Sequence, residues 1–150
     1  MSANDYISLK TSPKLMNLLD SNESLLFSDK LKKYSPCGFW KQDRILVITT
    51  ENIYNIKKDK VKRCIKIENV NGISKTMIGT KTEFTIHVRG EYDYRFLSTR
   101  RNEIIDTIKR RYVEKFSDNL PIFGIEKEKL YEFTTCEGAF KKGISRYPPS

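Results

Sequence analysis

Few residues in this chain have side chains suited to catalysis. His87 is the only histidine, and the three cysteines, Cys37, Cys64 and Cys136, lie far apart. A Cys–His nucleophile would need a third orienting group, and no spacing signals one. No CxxC pair exists, which argues against a zinc site, and an odd cysteine count argues against a disulfide framework. The phosphate and nucleophile motifs GxxxxGK(S/T), GxGxxG and GxSxG are absent, so no enzyme, cofactor or metal is expected. What the chain has in excess is positive charge, with 28 Lys+Arg against 19 Asp+Glu and a net +9 over 150 residues. Phosphates suit Arg forks and Lys point charges that converge from neighbouring strands. Candidates for such convergence are Lys30, Lys32, Lys33, Lys41 and Arg44, together with Lys57, Lys58 and Lys60. Arg100, Arg101, Arg110 and Arg111 form a second basic cluster, and Lys141, Lys142 and Arg146 a third.

The elements that must position these residues follow from hydrophobic period. Ser12-Pro13 opens a short helix as N-cap and first helical residue, with Leu15, Met16, Leu18 and Leu19 as its apolar side. From Leu25 the period is two, and Leu25, Phe27 and Leu31 share a face opposite Lys30 and Lys32. Further strands are predicted over Lys41–Thr50, Ile53–Lys57, Arg63–Glu68, Ile73–Ile78, Glu83–Arg89 and Tyr92–Leu97, separated by turn residues. After Ser98 the period becomes helical, and Ile104, Ile105, Ile108, Tyr112 and Phe116 form one stripe. The expectation is an α+β domain: a seven-stranded antiparallel, partly open barrel or sandwich capped by one C-terminal amphipathic helix. A short N-terminal helix precedes it and a C-terminal extension follows, dividing the chain at residues 1–22, 23–117 and 118–150.

Several strings carry a family resemblance. They are Leu26-Phe27-Ser28-Asp29-Lys30, Lys41-Gln42-Asp43-Arg44-Ile45-Leu46-Val47-Ile48-Thr49, Asn52-Ile53-Tyr54, and Ile65-Lys66-Ile67-Glu68-Asn69-Val70-Asn71-Gly72-Ile73-Ser74. They resemble the tail-homology domain of class I myosins, a version of the pleckstrin-homology superfold, over roughly residues 23–116. The resemblance implies acidic phospholipid bound between the first two strands, held by a basic residue ending the first and a basic-x-Arg pair opening the second. Lys32 and Lys33 stand at the first position and Arg44 at the Arg position. Gln42 replaces the basic partner, and Asp43 intervenes, which is expected to remove one positive charge from the pocket and add a negative one. Alternation points Lys41 away from Arg44. Phe39-Trp40, at the tip of the connecting loop, suits a membrane interface or a cap on the barrel core.

The charge is spread over several clusters, which favours a broad anionic partner. The leading expectation is a non-catalytic adaptor that engages acidic phospholipid at a membrane surface. The alternative is a structural scaffold in a cytoskeletal assembly, binding an acidic protein surface such as a microtubule, in a cilium for example. Nucleic acid ranks last, because no RNA-recognition signature or zinc finger is present and the aromatics read as core. The polar start Met1–Lys10 has no secretory pattern, Ser2 excludes N-myristoylation, and no apolar run is long enough to span a bilayer. The expected location is the cytoplasm, peripheral to membrane or cytoskeleton.

Overall fold

A computed structural model describes residues 3–35 and 40–148. In chain order the elements are β1 (Asn4–Asp5), α1 (Pro13–Met16), β2 (Leu25–Tyr34), β3 (Lys41–Thr49), β4 (Asn52–Lys57) and β5 (Lys60–Lys66). There follow β6 (Val70–Thr76), β7 (Glu83–Val88), β8 (Tyr94–Leu97), α2 (Arg101–Phe116), β9 (Ile122–Ile125) and α3 (Glu137–Lys141). Ser12 caps α1, its hydroxyl accepting from the Leu15 N–H at 3.3 Å, with Pro13 at the first helical position where its missing donor costs nothing.

The strands form one sheet in the order β5-β4-β3-β2-β8-β7-β6-β9, with β1 alongside β2. Neighbours are antiparallel except at β1–β2 and β6–β9, which are parallel. The sheet therefore has nine strands where the sequence predicts seven. The two extra strands, β1 and β9, come from the segments flanking the expected barrel. They have two and four residues, too short for their own periodicity to declare them. β5 and β6 follow one another in the chain but do not pair, so the sheet stays open there. α2 buries Ile104, Ile105 and Ile108 against the interior formed by Phe27, Leu46, Ile48, Ile53, Ile65, Phe84 and Phe96.

The outer side is covered as well. Leu9, with the half-buried Leu15, Met16, Leu18 and Leu19, packs on Val47, Tyr54 and Ile56, which face away from the main core. That is why Leu46-Val47-Ile48 reads as an unbroken apolar run rather than an alternation: both faces of β3 are dry. Glu23 fastens this cover, its carboxylate accepting from Thr49 Oγ1 and Asn52 Nδ2, each at 2.6 Å, and from the Asp20 N–H at 2.7 Å.

The β4–β5 hairpin turns through Lys58 and Asp59, both left-handed at φ 47° and 63°, between the paired residues Lys57 and Lys60. Two positive-φ residues make the mirror-image turn that matches strand twist, but a side chain costs free energy there. Replacing Lys58-Asp59 by Asn-Gly is expected to stabilise the chain by about 0.5–1 kcal/mol in a denaturant titration, after losing the exposed Lys14–Asp59 ion pair.

Candidate functional site

At the open end of the barrel the inner faces of β2 to β5 turn polar. Cross-strand register sets Lys33 opposite Gln42, and Asn55 opposite Arg63, while Arg44 lies opposite the buried Leu31. Lys33, Gln42, Arg44, Asn55 and Arg63 line a cleft of ≈ 540 Å³. Tyr92 and Tyr94 form a further wall, and Tyr131, Thr134, Cys136 and Glu137 of the C-terminal segment form part of the rim. Arg63 lies between the rings of Tyr92 and Tyr94, 3.9 and 4.1 Å from their centroids, and donates from Nη2 to the Tyr92 carbonyl. Its side chain is only 9% exposed, yet Nε and Nη1 have no hydrogen-bond partner, and the same is true of Arg44 Nε. Arg44 is oriented by Gln42, whose amide oxygen accepts from Nη2 at 3.1 Å. Burial, then the Arg44 and Arg63 guanidiniums, push the Lys33 ammonium below the ordinary lysine value, and Glu137 opposes that only in part. Lys33, Arg44 and Arg63 thus share a partly dry space in which Glu91 pairs with Arg63 Nη2 at 3.4 Å and Glu137 lies at the rim, so cations exceed carboxylates there, an arrangement that favours entry of a group bearing several charged oxygens.

Of the expected site residues, the cleft gathers Lys33 and Arg44. Lys32 projects from the opposite side of β2 and is ion-paired there with Asp43. Asp43 is therefore not the negative intruder that the sequence suggests; it neutralises Lys32 outside the cleft. Lys30 and Lys41 are exposed, and Lys30 borders an outer groove with Lys57 and Lys58, which Gln42 and Arg44 line as well. Lys60 is exposed at the end of the hairpin, and none of the three hairpin lysines lines the cleft that holds Lys33. Trp40 is 63% exposed, which removes the core-cap alternative, and Phe39 lies outside the described residues.

The expected basic surface on α2 is corrected by its contacts. Arg101 is buried, donating from Nη1 to the carbonyls of Thr76 and Glu83 at 2.9 and 3.2 Å. Arg100 stacks on Tyr6 at 3.6 Å and pairs with Asp29 at 2.8 Å, while Arg111 donates to the Thr50 carbonyl at 2.8 Å. Arg110 alone of the four is exposed with no contact of this kind among the described residues. Arg63 is the cleft residue that sequence reasoning missed. Its signal was parity: it stands two residues before the buried Ile65 on one strand and so shares its inward face.

His87 also has a role that its position in a strand does not disclose. Its Nε2 lies 2.6 Å from Ser74 Oγ and its Nδ1 2.9 Å from Asp93 Oδ2, the pairing pattern of an acyl-transfer triad. Ser74 is wholly buried mid-strand, and the rings of Phe123 and Tyr147 cover the imidazole at 6.3 and 5.0 Å. Asp93 also accepts from the backbone N–H groups of Val88 and Thr135, at 3.1 and 2.8 Å. No substrate reaches the serine in this arrangement, and the triplet instead joins β6 and β7 to the C-terminal segment.

Residues 3–136 match the family model described as unconventional myosin tail, actin- and lipid-binding. The chain belongs to this family. Solved structures share the myosin-tail chain's fold at low identity. The hSac2 domain from the human phosphoinositide phosphatase Sac2 is 15% identical with a TM-score of 0.58, covering 76% of this chain and 85% of that one. The C-terminal domain of an unknown protein from Leishmania infantum is 13% identical with a TM-score of 0.54, covering 67% and 92%. The N-terminal PH domain of human ARAP2 is 19% identical with a TM-score of 0.50, covering 59% and 80%. The myosin-tail domain thus has a pleckstrin-homology-like fold, as the quoted strings imply.

Two predictions follow from these contacts. Lys33 has its folded-state pKa depressed below the ordinary 10.5, so the folded chain holds that proton less well than the unfolded chain. The resulting destabilisation is complete below the folded value and disappears as pH rises toward 10.5. Lys33→Met is expected to raise the thermal unfolding midpoint at neutral pH, measured by calorimetry. For the buried triplet, His87→Ala strands two polar groups and opens a cavity, at an expected cost of about 3 kcal/mol, against about 1 kcal/mol for Ser74→Ala. Chemical denaturation of both variants measures the difference.

Proposed function

We propose that this chain is a non-catalytic membrane adaptor of the myosin-tail family that binds an acidic phospholipid headgroup between Lys33, Arg44 and Arg63. The observation that carries this reading is Arg63: a cleft-lining guanidinium nine-tenths buried, fixed between two tyrosines, with Nη2 held by the Tyr92 carbonyl and Glu91 and with Nε and Nη1 unpartnered. A guanidinium held this way has already lost its rotamer freedom, so binding an anion costs less ordering. Lys33 supplies a second charge and Arg44 a third, with Gln42 as a neutral residue that sets the Arg44 fork. Residues 23–117 form the binding module in this reading, and the flanking segments complete its outer cover and rim. The location that fits is cytoplasmic, at the membrane or the cytoskeleton beneath it.

The family description also names actin, which favours a second reading with a cytoskeletal partner. It replaces the microtubule of the sequence-based alternative, for which the cleft supplies no feature. Co-sedimentation separates the readings. The wild-type chain is expected to pellet with phosphatidylcholine vesicles carrying a phosphoinositide, in a salt-sensitive way. Lys33→Glu with Arg44→Glu is expected to lower that binding by about tenfold or more while leaving thermal unfolding cooperative. Undiminished vesicle binding by this variant would sink the cleft reading, and pelleting with filamentous actin alone would move the function to the second.

A further inference from the structure

The C-terminal segment does more than form part of the cleft rim. Cys136 and Glu137 line the cleft, so α3 begins at its edge. Ala139 is buried and anchors the helix to the body of the domain. Beyond it, Gly143 takes φ 73° and the Ile144 N–H returns to the Ala139 carbonyl at 2.9 Å, closing the helix in a left-handed turn that fixes Ile144 beside it. The consequence is an outward apolar pair: Phe140 is 42% exposed and Ile144 is 49% exposed, and both border one shallow groove. Lys141 and Lys142 stand between them in the chain, both exposed.

An anchored segment that holds two large apolar side chains in water, with cations between them, matches an anionic lipid surface. The apolar groups can enter the boundary between headgroups and acyl chains while the ammonium groups stay at headgroup level. Continuity with the cleft selects lipid over a protein partner, because a bilayer engaged at the rim lies within reach of the same helix. We infer that Phe140, Ile144, Lys141 and Lys142 form a second membrane contact beside the headgroup cleft. This inference rests on the lipid reading of the cleft and adds a surface to it. The two contacts belong to one domain, so engagement of the first raises the effective concentration of the second.

The test uses the full chain and two ligands. Soluble inositol polyphosphate, followed by calorimetry, reports on the cleft alone. Phosphatidylcholine–phosphatidylserine vesicles carrying a phosphoinositide report on cleft and surface together. Phe140→Ser with Ile144→Ser changes only exposed side chains, and it is expected to lower vesicle affinity about tenfold while leaving inositol polyphosphate affinity unchanged. A Phe140→Trp probe in a Trp40→Phe background is expected to shift its emission to the blue on vesicles and not on inositol polyphosphate. Unchanged vesicle affinity in the serine variant, with no shift from the probe, overturns the second contact and leaves the cleft reading standing. Failure of the wild-type chain to bind either ligand overturns both, and a blue shift on filamentous actin without one on vesicles assigns the surface to protein.

Discussion

A strand that is dry on both faces must have something to lie against on each side, and this sheet contains several. All six residues of β7 are buried, and so are Ile53 to Ile56 of β4. One face of each serves the barrel interior; the other is closed by a segment outside the central seven strands. The two closures use different chemistry. The N-terminal cover is apolar, with Leu9 against Val47, Tyr54 and Ile56. The C-terminal cover is a dry polar layer in which Thr134 Oγ1 meets Thr85 Oγ1 at 2.8 Å and the Leu130 N–H donates to Glu83 at 2.6 Å. Glu83 also pairs with Arg95 at 2.6 Å, both almost wholly buried. Such a pair adds little net stability against an apolar alternative, but a wrong docking would strand its charges, so it specifies the register of the segment.

The cleft follows from the same architecture. Lys33, Arg44 and Arg63 face inward, on strand sides that otherwise carry core residues, and they do so at the barrel end where the apolar filling stops. Their charges are partly desolvated by neighbours whose own role is structural, Tyr94 among them. The Lys33 ammonium bears the consequence, since burial and the Arg44 and Arg63 guanidiniums both disfavour its charge.

Much of the fold was legible in period alone. Seven strands and the stripe of α2 follow from alternation and from the spacing of Ile104, Ile105 and Ile108, and the Ser12-Pro13 start of α1 follows from capping chemistry. β1 and β9 were not legible, because a strand of two or four residues is defined by its partner, not by itself. The site was half legible. Resemblance brought forward Lys33 and Arg44, whereas Arg63 demanded the inward parity of Ile65. Charge counting treated Arg101 as surface because composition cannot tell a solvated arginine from one that satisfies the carbonyls of Thr76 and Glu83. The His87 triplet needed two neighbouring strands and the following turn in place before its three members could meet.

The parallel pairing of β9 with Ile73–Thr76 covers the outer side of β6 with a short terminal strand. Without it, β6 would present unpaired amide and carbonyl groups beside the exposed apolar pair Met77 and Ile78. A border of that kind is a template for a second chain, and the natural answer is to occupy it. Gly72 shows how closely the covering segment lies, since a Cβ there would come within 2.8 Å of the Tyr147 hydroxyl. The stretch that follows the long helix therefore covers the edge of β6, and shortening the chain before it would leave that edge bare.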